Sequence, residues 1–110
     1  MHPIKREVLN YTSDSGQDLF GEWLDNLKDI TGRAIIRKRI DRVEEGLFGD
    51  HRFVGNGVWE LRIDYGPGYR IYYGEESKKI VLLLCGGDKR SQKKDIIKAQ
   101  KLWWNYRSSL

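Results

Sequence analysis

The sequence predicts an α+β domain of strand, two helices, three strands and a closing helix (β-α-α-β-β-β-α), with a mostly antiparallel four-stranded sheet. Three observations carry this. Apolar residues recur at helical spacing between residues 17 and 45 and again from 92 to 106. They alternate with polar residues over 58–73, and the run Lys79 to Cys85 (KIVLLLC) is apolar almost throughout. With 110 residues, 39% hydrophobic and 33% charged, the chain reads as one soluble domain over 1–110.

The first strand is expected over residues 4–11 (IKREVLNY). In the following loop, Asp14 or Ser15 can cap a helix. Leu19, Phe20, Trp23, Leu24 and Leu27 share one face of a helix expected over 17–28. Thr31-Gly32 is expected to break the chain before a second helix over 33–45, whose stripe is Ile36, Ile40 and Val43. Gly46 is placed to end it, and the short connection predicts a helical hairpin.

Trp59, Leu61 and Ile63 then alternate with Glu60, Arg62 and Asp64, and Tyr69, Ile71 and Tyr73 with Arg70 and Tyr72. A turn at Gly66-Pro67-Gly68 pairs Ile63 with Tyr69 and Leu61 with Ile71, so the apolar faces coincide. A slip of one residue would bury a charged face. This register sets Arg62 opposite Arg70 and Glu60 opposite Tyr72. The run 79–85 reads as an inner strand covered on both faces, ended by Gly86-Gly87. Ser91 can cap a last helix over 92–106, with Ile96, Ala99, Trp103 and Tyr106 along one side.

Arginine facing arginine destabilises a sheet, which points to an anion that both cations serve. The net charge of +4 and a pI near 9.2 make nucleic-acid phosphate the expected anion. The single cysteine, Cys85, excludes an internal disulfide and sits in an apolar strand, where packing is its expected role. The first twelve residues lack the apolar run of a signal peptide, and no segment is long enough to span a bilayer. The expected location is the cytoplasm, with no membrane partner. His2 and His51 are isolated, so neither a metal site nor a small-molecule cofactor is expected. The Gly-Pro-Gly turn lacks the strand-to-helix context of a phosphate loop and is hairpin chemistry.

The pieces FGEWLDNL (20–27), RIDRVEEGLFGD (39–50), GVWELRIDYGPGYRIYY (57–73) and LLLCGGDKRSQKKDI (82–96) cover most of the chain. Together they resemble the RelE/ParE superfamily of bacterial type II toxins, in particular the addiction-module killer protein branch with its phage-derived and HigB-like members. The resemblance implies a compact single toxin domain with the same element order. It also implies a cognate helix-turn-helix antitoxin, and either metal-independent cleavage of mRNA on the ribosome or, as in the ParE branch, poisoning of DNA gyrase. Gly68-Tyr69-Arg70 matches an element whose arginine contacts the scissile phosphate in RelE-like nucleases, and Lys89 in Gly87-Asp88-Lys89 matches a cation in a later turn. Where relatives alternate cations on the preceding strand, this chain has Glu60 and Arg62. Asp95 lies near the place of a catalytic tyrosine, and no tyrosine follows until Tyr106.

RNA cleavage through the 2′-hydroxyl needs a base, cations for the phosphorane and an acid for the 5′-oxygen. Arg62 and Arg70 suit the second role, with Lys89 as a further charge. Glu60 is the candidate base, and Tyr72 the candidate for base stacking or proton supply, unless it is a packing residue. The same Glu60, Arg62 and Arg70 also read as a solvent-facing ion-pair cluster. Arg37, Lys38 and Arg42 on the second helix, with Arg90 and Lys93 near the last, are the candidate RNA-binding cations; a solvated charged face is the alternative. One of Trp103 and Trp104 is expected to pack and the other to face a partner. Three functions remain open: an mRNA endonuclease, a gyrase inhibitor, or a non-toxic antitoxin-binding module.

Overall fold

A computed structural model describes residues 3–110. The elements are β1 (Glu7–Asn10), α1 (Leu19–Asn26), α2 (Ile30–Glu44), β2 (His51–Gly55), β3 (Val58–Ile63), β4 (Tyr69–Glu76), β5 (Ile80–Gly87) and α3 (Gln92–Ser108). A 3-10 turn, Lys89–Ser91, leads into α3. The architecture is α+β as expected, but the sheet has five strands in the order β1-β5-β4-β3-β2. Among the described residues only the β1–β5 pairing is parallel.

The additional strand is β2. Its sequence, HRFVG, begins with two polar residues, ends in glycine and forms an exposed edge, so alternation is too short to read. Asn56 and Gly57 both take positive φ between β2 and β3. Asn-Gly is a strong signal for a two-residue hairpin turn, and the sequence reading passed over it. Helix starts also differ. Asp18, not Asp14 or Ser15, caps α1 by accepting from the Gly21 amide at 2.9 Å. Asp29 caps α2 through Gly32, so Thr31-Gly32 forms the first turn instead of a break. A Cβ at Gly32 would stand 2.8 Å from the Tyr69 ring, which explains glycine inside that turn. Gly86 and Gly87 continue β5, and Asp88, not Ser91, supplies the side-chain cap before α3.

Two cores sandwich the sheet. Phe20 and Leu24 of α1 and Ile36 and Val43 of α2 pack with Leu61, Ile63, Tyr69, Ile71, Tyr73, Val81 and Leu83. On the other face, Ala99 and Trp103 of α3 pack with Val58, Tyr72, Leu82, Leu84 and Cys85. β5 is therefore covered on both sides, as its apolar run predicts. Trp103 lies over Gly74, where a Cβ would come within 2.2 Å of the indole. Trp104 is 71% exposed. The β3–β4 register is the expected one, with Arg62 facing Arg70 and Glu60 facing Tyr72. No helix is long and apolar enough to cross a membrane among the described residues.

Candidate anion-binding site

Period-two alternation sends Glu60 and Arg62 from β3, and Arg70 and Tyr72 from β4, to the α3 side of the sheet. Glu60 is completely buried there. Its Oε1 is approached by Arg52 Nε at 3.2 Å, Arg62 Nε at 3.7 Å and Arg70 Nε at 4.0 Å. Its Oε2 accepts from Gln92 Nε2 at 2.9 Å. A buried carboxylate without partners would be strongly unfavourable; here three guanidiniums and an amide surround it. One anion among three cations leaves the cluster positive, so Arg62 faces Arg70 with partial compensation beneath them.

Arg52 enters from β2, directly opposite Glu60. It was not legible in the sequence, because its five-residue strand is too short to show alternation. The expected general base is likewise corrected: Glu60 has no exposed surface and its oxygens are already engaged. Tyr72 is also fully buried, which removes its ring from base stacking. Among the described residues its hydroxyl makes no hydrogen bond of good geometry, and burial, then the nearby Glu60 carboxylate, push its pKa well up.

Arg62 and Arg70 open on one hollow of about 430 Å³, lined also by Lys89, Asp50, Asp64 and the turn Gly66-Pro67-Gly68. Arg70 is 6% exposed and makes only long hydrogen bonds. Its Nη1 donates to the Gly68 and Tyr69 carbonyls at 3.3 and 3.4 Å, and its buried Nε has no hydrogen-bond acceptor among the described residues. An under-bonded, nearly buried guanidinium beside two further cations has the chemistry to accept an oxyanion. Gly68, at φ +81°, lets the turn close on it; a Cβ would meet Arg70 Nη1 and Lys89 at 3.4 Å.

Arg39 braces the wall. Its guanidinium donates to the carbonyls of Phe48 (3.0 Å), Arg62 (2.9 Å) and Asp50 (2.7 Å), tying α2 to the hollow's edge. The other basic residues of α2 are placed differently. Arg37 pairs at the surface with Asp25 at 3.8 Å, and none of Arg37, Lys38 and Arg42 lines the hollow, because α2 packs on the opposite face of the sheet. Arg90 and Lys93 line an adjoining groove that shares Lys89 with the hollow. Asp95 is buried and accepts from Ser91 Oγ at 2.5 Å. His51 lies against Trp59 and Phe48 with tilted rings at the sheet edge, and His2 lies outside the described residues. Among the described residues no group of three or more His, Cys, Asp or Glu is placed to hold a metal ion.

Fold and hollow together define a small α+β protein with an arginine- and lysine-lined hollow at the end of its central hairpin. The family model "Phage derived protein Gp49-like" matches residues 22–103, and the chain belongs to that family, part of the RelE/ParE-like toxin superfamily. It is also similar to an uncharacterized protein of Haemophilus influenzae, 48% identical over 83 residues covering 76% of this chain and 84% of the relative. At this coarse level, the family is consistent with the toxin of a toxin–antitoxin pair.

Proposed function

We propose that the chain is a type II toxin that cleaves mRNA at the ribosome and so arrests translation. The observation that carries this is Arg70, almost buried and short of acceptors, beside Arg62 in a hollow that fits a phosphodiester. Arg62 and Arg70 would bind the non-bridging oxygens and stabilise the phosphorane, with Lys89 as a further cation at the rim. These guanidiniums supply the charge stabilisation that motivates a metal-independent mechanism. Glu60 is assigned a positioning role: it holds three arginines in place. Tyr72 belongs to the framework. Arg90 and Lys93 would guide the flanking RNA backbone, and Arg37, Lys38 and Arg42 would meet ribosomal phosphates or an acidic stretch of a helix-turn-helix antitoxin. The products would be a 2′,3′-cyclic phosphate and a 5′-hydroxyl, formed in the cytoplasm.

The test is mapping of mRNA ends by primer extension in a bacterial translation extract. New ends with wild-type protein and none with soluble Arg70→Ala support the reading; intact message defeats it. The burial of Glu60 and Tyr72 favours one rival, a gyrase inhibitor that uses the same hollow without chemistry. Loss of supercoiling activity by purified gyrase, with message intact, would select that rival.

A further inference from the structure

The alternation of β3 runs one step past the strand, placing Asp64 in the hollow beside Arg62, Arg70 and Lys89. Three carboxylates lie in or under this hollow. Glu60 is buried and fully engaged. Asp50 lies by Arg39, whose charged form it stabilises, and the Asp50 carbonyl receives the Arg39 guanidinium and the Arg62 amide. Asp64 is exposed, and among the described residues it forms neither an ion pair nor a side-chain hydrogen bond. The geometry points to Asp64 as the general base that takes the 2′-hydroxyl proton of an RNA phosphodiester held by Arg62 and Arg70. This rests on the nuclease reading above and adds to it the residue that Glu60 cannot be.

In the step, the 2′-O–H proton passes to the Asp64 carboxylate as the 2′-oxygen bonds to phosphorus. The P–O5′ bond breaks, and the leaving oxygen takes a proton from the Lys89 ammonium, the exposed acid on the same rim. No redox change occurs, and the proton returns from Asp64 to Lys89 through solvent. The nearly buried Arg70 supplies the phosphate site that makes an isolated surface carboxylate relevant.

The experiment uses purified ribosomes programmed with a short synthetic message, under single-turnover conditions. Wild type, Asp64→Asn, Asp64→Glu and Arg70→Ala are compared for cleavage rate and for co-sedimentation with the programmed ribosome. Asp64→Asn should slow cleavage about 10²-fold or more with unchanged co-sedimentation and melting temperature, as loss of a general base does. Asp64→Glu should restore part of the rate. Wild-type cleavage by Asp64→Asn would overturn the assignment. Faster cleavage with tighter binding would overturn it too, showing that Asp64 only repels phosphate. Absence of cleavage by the wild type overturns the nuclease reading itself, and is distinguished by that control.

Discussion

Glu60→Gln removes one charge from the middle of the arginine cluster while keeping the shape of the side chain. Arg52 and Arg62 are 52% and 37% exposed, so water and salt screen much of their pairing with Glu60. Arg70 is 7% exposed at its side chain, and glutamine would leave it with no ion-pair partner among the described residues. Breaking a buried pair on one side typically costs 3–5 kcal/mol; the 4.0 Å separation places this case at the lower end, about 3 kcal/mol. At roughly 4 °C per kcal/mol for a domain of this size, the melting temperature should fall by about 12 °C. Adding Arg70→Met, an apolar side chain of similar length, should recover much of that loss, because the uncompensated cation is gone. Differential scanning calorimetry of the two single variants and the double variant measures the coupling. A fall of less than about 1 kcal/mol for Glu60→Gln, or strict additivity in the double variant, would refute the claim that Glu60 and Arg70 hold one another in place.

Other consequences are open to direct measurement. Asp29 is held below the ordinary carboxylate range by the Gly32 amide and then by the Tyr69 hydroxyl, which donates at 2.7 Å. Its contribution is present above the unfolded value of about 4 and is lost as pH falls through the folded value, so Asp29→Asn should flatten the acid limb of stability against pH. Tyr69 is pushed up to about 12 by burial and then by Asp29. Its neutral phenol stabilises the fold fully below about pH 10, and that contribution disappears as pH climbs toward its folded value. Tyr69→Phe should therefore flatten the alkaline limb in urea titrations across pH. Gly74→Ala drives a methyl into the Trp103 ring and should cost about 1–3 kcal/mol by urea midpoint, less in a Trp103→Leu background. Burial, then Asp95, pushes the Cys85 thiol up to about 12, so iodoacetamide at about pH 7.5 should label it in urea and spare it in the native protein.

Periodicity made most of the fold legible. The coincidence of apolar faces fixed the β3–β4 register residue by residue, because a one-step slip inverts every side chain. What escaped was β2, whose five residues depend on pairing with β3 for their conformation. With it went Arg52, the cation closest to Glu60. The site was half readable for a related reason. Alternation tells which face of the sheet a side chain takes, and so it brought Arg62 and Arg70 together. It does not tell how deep that face is covered. The fall of Gln92 and α3 over the strand centre buried Glu60 and Tyr72, while Asp64, two alternations nearer the turn, stayed in water. Arg39 shows the same limit on α2, where a basic residue in a charged run turns inward to three carbonyls.

The pairing of Glu7 with Ile80 ties the first strand to the last. The central hairpin can close locally, but that outer seam must wait for most of the chain, which makes it a late event in folding. Gln92 comes later still, and it carries the amide that secures Glu60. During synthesis, then, the arginine nest is finished only after the last helix begins to emerge. On the proposed reading as a translation-arresting toxin, this order of assembly would leave the chain unarmed for most of the time it spends attached to the machine that makes it.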